Sequence, residues 1–292
     1  MGQFMNSWYY ALLSCPQCGK PIPDRDALKC RSCRYDRPSL TDFRIVLNGS
    51  KILRHPDLLP DDPARMMDCV DVSAPNITYT GPRALRDSAE LLSEVISHFP
   101  NGGDALDLGC GPRDQCKPSE SINFRYVGVD YSNPAADLLV DAHALPFQDA
   151  SFDLVFSYAV LEHLHNPWVA LNEIKRVLKP GGWFVGTVSQ GEPFHASFFH
   201  HTPWGILALT NAITGLKVFR LWGAEDTLRS LATMGRYPKL LRAPLFALDY
   251  LNRHMPWLAP RKWRLPERDR QLDRMYRAGS IGFSIQRSGA DQ

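Results

Sequence analysis

The chain has 292 residues, 44% of them hydrophobic and 22% charged, and its formal net charge is +2, as in an ordinary globular protein with one large domain and a smaller unit. No uncharged apolar stretch reaches the roughly 18 residues of a membrane-spanning helix. Residues 1–14 lack the basic leader and apolar core of a secretory signal, so we expect a cytoplasmic protein.

Four of the seven cysteines form two Cys-x-x-Cys pairs near the N-terminus. Two such pairs on separate turns can supply four sulfur ligands to a tetrahedral Zn²⁺ ion. Disulfides are the alternative, but they are typical of secreted proteins. We therefore predict a zinc ribbon over residues 11–47, with a short hairpin around 22–28 and a closing strand over 43–47. The predicted ligands of a structural zinc are Cys15, Cys18, Cys30 and Cys33.

The next segment, residues 48–82, is rich in proline, aspartate and isolated apolar residues, which predicts a linker. Residues 83–99 and 166–178 carry apolar residues at helical spacing, so we predict a helix over each. Seven apolar segments have the length and composition of strands. The predicted strands are 105–108, 126–130, 138–141, 151–157, 183–188, 216–222 and 280–286.

The first of these strands leads into a glycine turn, and the second ends in a carboxylate. Residues 105–111 read Ala-Leu-Asp-Leu-Gly-Cys-Gly, and residues 126–130 read Tyr-Val-Gly-Val-Asp. Glycines let a ligand approach the backbone, and a helix start offers unpaired N–H groups. A carboxylate at the next strand tip suits two ribose hydroxyls. The pattern indicates a nucleotide site, with an ordinary strand–helix turn as the alternative.

Four more motifs follow in order: Asp-Ala-His-Ala-Leu-Pro-Phe at 141–147, Ser-Phe-Asp-Leu-Val-Phe-Ser at 151–157, Val-Leu-Glu-His-Leu at 160–164 and Leu-Lys-Pro-Gly-Gly at 178–182. With them, the chain resembles the S-adenosylmethionine-dependent methyltransferases of the Rossmann-like class, especially the type 11 group. The resemblance implies an α/β domain over 83–292. Its sheet would have seven mostly parallel strands, an antiparallel final hairpin and helices on both faces. The ribbon resembles that of certain bacterial rRNA guanine methyltransferases.

This resemblance implies S-adenosyl-L-methionine as the cofactor, and the strand tips agree with it on the contacts. The methionine end would be held at the glycine turn, the ribose by the second strand and the adenine by the third. A hydroxyl at the tip of the fourth strand would lie near the carboxylate or amino group. The predicted cofactor-binding residues are Asp107, Gly109, Gly111, Asp130, Asp141, Ala142 and Ser157.

The chain departs from this family at Arg113, where a third glycine is usual. A side chain here narrows the approach to the amino acid end of the cofactor unless it turns outward. Because Gly109 and Gly111 are in place, we expect the turn to form.

The acceptor side is marked less clearly. A general base matters if the acceptor is a hydroxyl or a protonated amine. His163, His200 and His201 follow the fourth and fifth strands, where acceptors commonly bind, but each is also typical of a surface or packing histidine. No Asp/Asn-Pro-Pro-aromatic sequence follows the fourth strand, which disfavours methylation of the exocyclic amine of adenine or cytosine.

A long segment, residues 223–279, separates the last two predicted strands. Within it, residues 240–263 interleave apolar and aromatic side chains with basic ones, and prolines at 244, 256 and 260 predict short helices. We predict a helical cover over the acceptor pocket. Peripheral contact with a membrane surface through 240–263 is the alternative.

Three functions remain open. The first is methyl transfer to a hydroxyl or amine of a small or lipid-linked metabolite. The second is RNA methylation, with the ribbon and the basic C-terminal region holding RNA, because residues 217–292 carry 15 Lys and Arg against 7 Asp and Glu. The third is a non-catalytic, cofactor-binding zinc-ribbon adaptor. The sequence does not name the acceptor atom or the oligomeric state.

Overall fold

The computed structural model describes residues 7–22, 27–44, 95–114, 116–121, 123–193, 196–235, 237–255, 275 and 277–289. The predicted linker over 48–82 and most of the predicted helix over 83–99 lie outside these residues. The same is true of most of the hairpin predicted around 22–28 and of the end of the strand predicted over 43–47.

Seven strands form one sheet: β1 Gly103–Leu108, β2 Phe124–Asp130, β3 Leu138–Leu139, β4 Phe152–Tyr158, β5 Leu178–Ser189, β6 Leu216–Asp226 and β7 Ala278–Arg287. Their order is β3-β2-β1-β4-β5-β7-β6. Pairing is parallel from β3 to β5, whereas β7 is antiparallel to both β5 and β6. The predicted seven-stranded, mostly parallel sheet with an antiparallel final hairpin is confirmed. The strand order reverses between β1 and β4, and ligands bind at the carboxyl ends of strands at such a point.

Five α-helices lie in the described residues: α1 Cys116–Ser121, α2 Pro167–Val177, α3 Pro203–Asn211, α4 Thr227–Met234 and α5 Lys239–His254. The predicted helix over 166–178 is α2. The Asn166 side chain accepts the Val169 N–H, and Pro167 occupies the first turn, where a missing N–H costs nothing. The described residues also include two short 3-10 turns, Trp8–Leu12 and Leu161–His163.

Alternate residues of the central strands contribute to two apolar clusters. Leu106 and Val155 are buried in one cluster, whereas Ala105 and Phe156 are buried in the other. Because both faces of β1 and β4 are covered, these strands read as continuous apolar runs rather than as alternating patterns. The polar residues at their carboxyl ends therefore lie at the edge of a rigid core.

The cysteine-containing N-terminal segment docks on the β3 edge of the sheet. Asp42 forms a parallel bridge with Leu139, and the Phe43 N–H donates to the Leu139 carbonyl at 2.9 Å. At the other end of the segment, the Ser14 N–H donates to the Pro146 carbonyl at 2.9 Å. Residues of this segment, among them Tyr10, share the apolar cluster of the sheet. The N-terminal unit is therefore packed onto the α/β domain.

The structure corrects two details of the segment before the last strand. Strand β6 continues to Asp226, so the connection to β7 begins at 227 rather than at 223. Pro244 does not separate two short helices but lies inside the continuous helix α5. A proline there removes only its own N–H bond, to a carbonyl on the exposed residue Leu240, where water can replace it.

Helix α5 packs on α4, and α4 packs on β6 and β7. Helices α4 and α5 therefore lie on the β6–β7 side of the sheet, whereas Thr227 and Met275, near the two ends of the connection, lie beside Gly191 and Gln190 just after β5. Helix α5 exposes Leu240, Leu241, Leu248 and Tyr250. Among the described residues, no helix combines the length and apolar character needed to cross a bilayer. The cover and the membrane contact both stay predictions.

Candidate functional site

The glycine turn after β1 has the backbone conformation that the sequence predicts. Gly109 and Gly111 have φ values of +77° and +50°, in the left-handed region that favours glycine. A Cβ on Gly109 would overlap Cγ2 of Val160, which follows β4. A Cβ on Gly111 would meet nothing within 4 Å. The turn is therefore packed on one side and open on the other, as a ligand cradle requires.

Asp130, at the end of β2, organises the loops around this turn. Its Oδ2 accepts the Gly111 N–H at 3.0 Å, and its Oδ1 accepts the N–H groups of Ser132 and Asn133, each at 2.9 Å. A carboxylate has about four acceptor positions, so one remains for a ligand hydroxyl. The predicted ribose-binding residue thus lies against the predicted glycine turn.

Asp107 is the most deeply buried of the three predicted cofactor carboxylates, with 1% of its surface exposed. Its Oδ2 accepts the Tyr126 hydroxyl proton at 2.6 Å. Burial raises the pKa of Asp107 from 3.8 to about 7, and the nearby charge of Asp130 acts in the same direction. A carboxyl group with this pKa can change its charge when a cation binds beside it.

Arg113 does not simply turn outward but packs along β2. Its backbone has a φ of +65°, the conformation that explains why glycine is usual at this place. Its guanidinium contacts Asp137 at 3.0 Å and lies over the Tyr126 ring, with its centre 5.4 Å from the ring centroid. Since the Tyr126 hydroxyl donates to Asp107, Arg113 belongs to the same network of contacts as a predicted cofactor carboxylate.

Asp141, after β3, is held in place by a histidine that the sequence analysis did not single out. Its Oδ1 accepts both the backbone N–H of His143 at 2.9 Å and a bond from ring Nδ1 of His143 at 2.6 Å. Burial tends to raise the pKa of Asp141, but these two bonds bring it below its ordinary value. His143 Nε2 accepts the Asn166 N–H at 3.2 Å, which fixes the neutral tautomer with hydrogen on Nδ1.

The last two predicted cofactor residues lie near the same edge. Ala142, beside Asp141, is buried with 7% exposure. Ser157 lies in β4 one residue before its end, and its buried Oγ has no hydrogen-bond partner in the part of the chain that the structure describes. The contacts of these residues with a cofactor stay predictions. His143 could have been found from the sequence, because it lies two residues after Asp141 in the Asp-Ala-His motif.

The three histidines proposed for the acceptor side have different environments. His163 is exposed, and its Nδ1 bonds the Ala196 carbonyl at 2.6 Å. His200 is also exposed, with Nδ1 at 3.2 Å from the Gln190 carbonyl. His201, by contrast, is 7% exposed. Only His201 has the burial that perturbs the chemistry of an imidazole.

Two acidic residues on the acceptor side were not predicted from the sequence. Glu162 is fully buried, and its Oε1 accepts both the N–H and the hydroxyl proton of Ser189, at 3.1 and 2.8 Å. Glu192 also contacts the Ser189 hydroxyl. Glu162 belongs to the Val-Leu-Glu-His-Leu motif, which was the available signal. Glu192 had none, because its proximity depends on how the chain turns after β5.

The four N-terminal cysteines form one cluster. All their sulfur atoms lie within 4.8 Å of one another, and the Cys15–Cys33 and Cys18–Cys30 separations are 3.6 and 3.7 Å. A tetrahedral Zn²⁺ with bonds of about 2.3 Å requires sulfur separations of about 3.8 Å. A disulfide would require about 2.05 Å. The cluster therefore fits four ligands around one metal, not two disulfides.

The residues after each cysteine pair adopt the same turn. Gly19 and Arg34 both have positive φ, +74° and +63°, and their N–H groups donate to the carbonyls of Cys15 and Cys30 at 2.8 and 2.9 Å. Two equivalent knuckles thus present the sulfurs to a common centre. The zinc ribbon is supported by this geometry.

Residues 106–186 match the family model described as a methyltransferase domain. This segment is a methyltransferase domain. With its strand order and glycine turn, it belongs to the S-adenosylmethionine-dependent, Rossmann-like class. The matched segment covers β1 to most of β5 and thus contains Asp107, Asp130, Asp141 and Ser157. The family predicted from the sequence motifs is confirmed.

Individual relatives are similar to parts of the chain. An uncharacterized 37.1 kDa protein of transposon TN4556 from Streptomyces fradiae is 38% identical over 137 residues, 40% of this chain and 39% of that protein. The demethylmenaquinone methyltransferase of Renibacterium salmoninarum is 32% identical over 144 residues, 44% of this chain and 59% of that enzyme. The methyltransferase domain thus spans less than two thirds of the length of either relative.

A solved structure with a similar sheet is a methyltransferase from Burkholderia thailandensis that acts on 1,6-didemethyltoxoflavin at N1. It is 15% identical, with a TM-score of 0.43, over 70% of this chain and 79% of that one. At this distance no residue role passes from one protein to the other.

Proposed function

We propose that this protein transfers a methyl group from S-adenosylmethionine to a hydroxyl or amine of a small or lipid-linked metabolite. The observation that carries the proposal is the hydrogen bond from the Gly111 N–H of the glycine turn to Asp130. It lies beside Asp107, at the carboxyl ends of β1 and β2. Three carboxylates, Asp107, Asp130 and Asp141, would favour a cationic sulfonium and ammonium over a neutral nucleotide.

The covered acceptor side supports a small acceptor over a macromolecule. The backbone N–H groups of Phe198 and Phe199 donate to the Glu162 carbonyl at 2.7 and 3.1 Å, so this segment lies across the turn after β4. A covered site excludes water and positions the acceptor for in-line displacement. The similarity to an enzyme named for demethylmenaquinone, over part of its length, is consistent with a lipid-linked acceptor.

In this proposal the four-cysteine cluster holds one structural zinc. Four thiolates fill a tetrahedral coordination shell, which leaves no open position for catalysis. The ion would supply folding free energy to the N-terminal unit. The sulfur separations of 3.6 and 3.7 Å support the assignment.

Replacing Asp130 by Asn should weaken S-adenosylmethionine binding at least tenfold. The amide keeps one acceptor oxygen but loses the charge and half of the acceptor capacity, and a hydrogen bond to a charged group contributes about 1.5–3 kcal/mol. Calorimetric titration with S-adenosylmethionine measures the change. Asp149→Asn, at an exposed carboxylate, is the matched control and should bind as wild type does. Equal affinity in Asp130→Asn, with an unchanged melting temperature, would contradict the assignment.

RNA methylation is the second candidate, because the cysteine unit has a basic groove. The groove has a volume of about 250 Å³, and three of its eight lining residues are basic: Lys20, Lys29 and Arg31. Contacts to phosphates weaken steeply with salt. If RNA is the substrate, retention of tRNA or rRNA should fall at least a hundredfold between about 50 and 200 mM salt. Lys20→Ala with Arg31→Ala should reduce the salt slope, and retention that does not depend on salt would exclude this candidate.

One experiment separates all three functions. Purified protein and labelled S-adenosylmethionine are incubated in parallel with RNA, with a lipid extract and with a pool of small metabolites. We expect label in the metabolite or lipid fraction. Label in RNA would select the second candidate, and binding of the donor without any transfer would select the non-catalytic adaptor.

A further inference from the structure

A cluster of buried polar side chains lies at the carboxyl ends of β4 and β5. Glu162 is in the 3-10 turn after β4, and Ser189 is the last residue of β5. Val160, two residues before Glu162, is the residue that a Cβ on Gly109 would overlap. The cluster therefore lies next to the glycine turn, on the side where an acceptor would meet the methyl donor.

His201 is part of this cluster. Its backbone N–H donates to the Ser189 carbonyl at 2.8 Å, which holds the residue against the end of β5. The ring is bonded to the Leu161 carbonyl and lies in the field of Glu162. Its buried Nε2 has no hydrogen-bond partner in the described residues. We therefore assign the ring proton to Nδ1, which leaves the Nε2 lone pair unshared.

Several groups around His201 determine its charge. Burial lowers its pKa below 6.5, and the neighbouring His200 acts in the same direction, whereas the Leu161 carbonyl and Glu162 act against them. The ring is therefore neutral near pH 7. A neutral imidazole with Nδ1–H held by an acceptor and a bare Nε2 is the arrangement of a general base.

The carboxyl groups beside His201 share one hydroxyl. Ser189 Oγ contacts both Glu162 and Glu192 but has a single proton to donate. Glu162 also accepts the Ser189 N–H, which fixes its side chain at the end of β5. Its field acts on the His201 ring, so Glu162 is the carboxyl group that faces the imidazole.

We propose that His201 is the general base of the reaction and that the acceptor is a hydroxyl or a protonated amine. This proposal rests on the methyl transfer proposed above. The acceptor's proton passes to Nε2, and the electron pair left behind forms the new bond to the methyl carbon. The carbon–sulfur bond breaks, and its electron pair remains on sulfur. The imidazolium then returns its proton to solvent.

Glu162 is a positioning residue in this arrangement. It does not reach the acceptor but stabilises the positive charge that His201 gains, and it fixes Ser189, which holds the His201 backbone. Losing the carboxylate in Glu162→Gln should therefore move the acid limb of the pH–rate profile to lower pH. A purely structural role would lower the rate at every pH and leave the limb in place.

The test compares His201→Gln with His98→Gln, at an exposed histidine that stacks on Trp183, six residues before Ser189 in β5 and therefore far from the cluster. Transfer of label from S-adenosylmethionine is followed with a metabolite and lipid extract supplemented with catechol and phenethylamine. His201→Gln should lower kcat by about 10²–10⁴ and abolish the acid limb, whereas His98→Gln should stay within about threefold. Calorimetry should show S-adenosylmethionine affinity within about threefold of wild type in both variants.

Nuclear magnetic resonance of ¹⁵N-histidine-labelled protein tests the arrangement without an acceptor. The His201 signals, assigned by their loss in His201→Gln, should show a proton on Nδ1 and none on Nε2 at pH 7. A proton on Nε2, or a His201→Gln variant as active as wild type, would overturn the role of His201 alone. A wild-type protein that binds the donor but labels no acceptor would overturn the proposed function as well.

Discussion

Removing the metal from the four-cysteine cluster should weaken S-adenosylmethionine binding at least thirtyfold, although no cysteine is among the predicted cofactor contacts. The N-terminal unit contacts the chain next to two of the predicted cofactor carboxylates, Asp141 and Asp130. Leu139 lies two residues before Asp141, and its N–H donates to the Thr41 carbonyl at 2.9 Å. Arg44 donates to the carbonyl of Tyr131, the residue after Asp130, at 3.2 Å. Loss of zinc would unfold the unit that makes these contacts.

Calorimetry on protein treated with a chelator, before and after zinc is restored, measures this effect. Arg44→Ala tests the contact itself with the metal retained, and should weaken binding about three- to tenfold. Lys29→Ala, at an exposed ion pair with Asp36 in the same unit, is the matched control. Metal analysis should give about one zinc per chain. Metal-free protein that binds the donor with unchanged affinity would show that the ribbon and the cofactor site are independent.

Replacing Asp107 by Asn should remove the pH dependence of S-adenosylmethionine binding. Because the pKa of Asp107 is raised to about 7, this carboxyl group is mostly protonated at pH 5 and ionised at pH 8. A cationic ligand binds the ionised form, so wild-type affinity should rise about tenfold per pH unit up to about pH 7 and then level off. The affinity of Asp107→Asn should be nearly constant and, at pH 8, at least a hundredfold below wild type.

The same substitution should affect folding in the opposite direction. The folded state binds the Asp107 proton more tightly than the unfolded state, so the free energy of unfolding falls as pH rises from about 4 to 7. At pH 8 the ligand-free Asp107→Asn protein should therefore melt above wild type, and at pH 4 the difference should vanish. S-adenosylhomocysteine, which lacks the sulfonium charge, should show a weaker pH dependence. A wild-type affinity that is flat between pH 5 and 8 would contradict the raised pKa.

The strands and the glycine turn were predicted well from the local sequence, because the residues that determine each of them lie within a few positions of one another. Asp107, Gly109 and Gly111 fall where β1 meets its turn, because a buried apolar run followed by glycines has few other conformations. The tip of β6 was predicted four residues short. Its last residues are only partly buried and carry register shifts, so their pattern is not that of a regular strand.

The place of the long connection could not be predicted in the same way. Aromatic residues between 237 and 263 suggest a cover over the acceptor pocket, which stays a prediction because residues 256–274 lie outside the described part of the chain. Within that part, α4 packs on β6 and β7, and α5 packs on α4. A different segment lies across the turn after β4, where the N–H groups of Phe198 and Phe199 donate to the Glu162 carbonyl. Composition shows that a segment needs a partner surface, whereas only the packed structure decides which surface it covers.

The sequence by itself determined the class of the α/β domain, and it predicted the four cysteine ligands and the cofactor-binding residues at the strand tips. Each depends on short spacings that secondary structure converts directly into positions. The tertiary structure decided what the sequence left open: the docking of the cysteine unit on β3, the support of Asp141 by His143, and the burial of His201 beside Glu162. These features join segments distant in sequence, and burial and protonation depend on all the atoms around a group rather than on its neighbours in the chain.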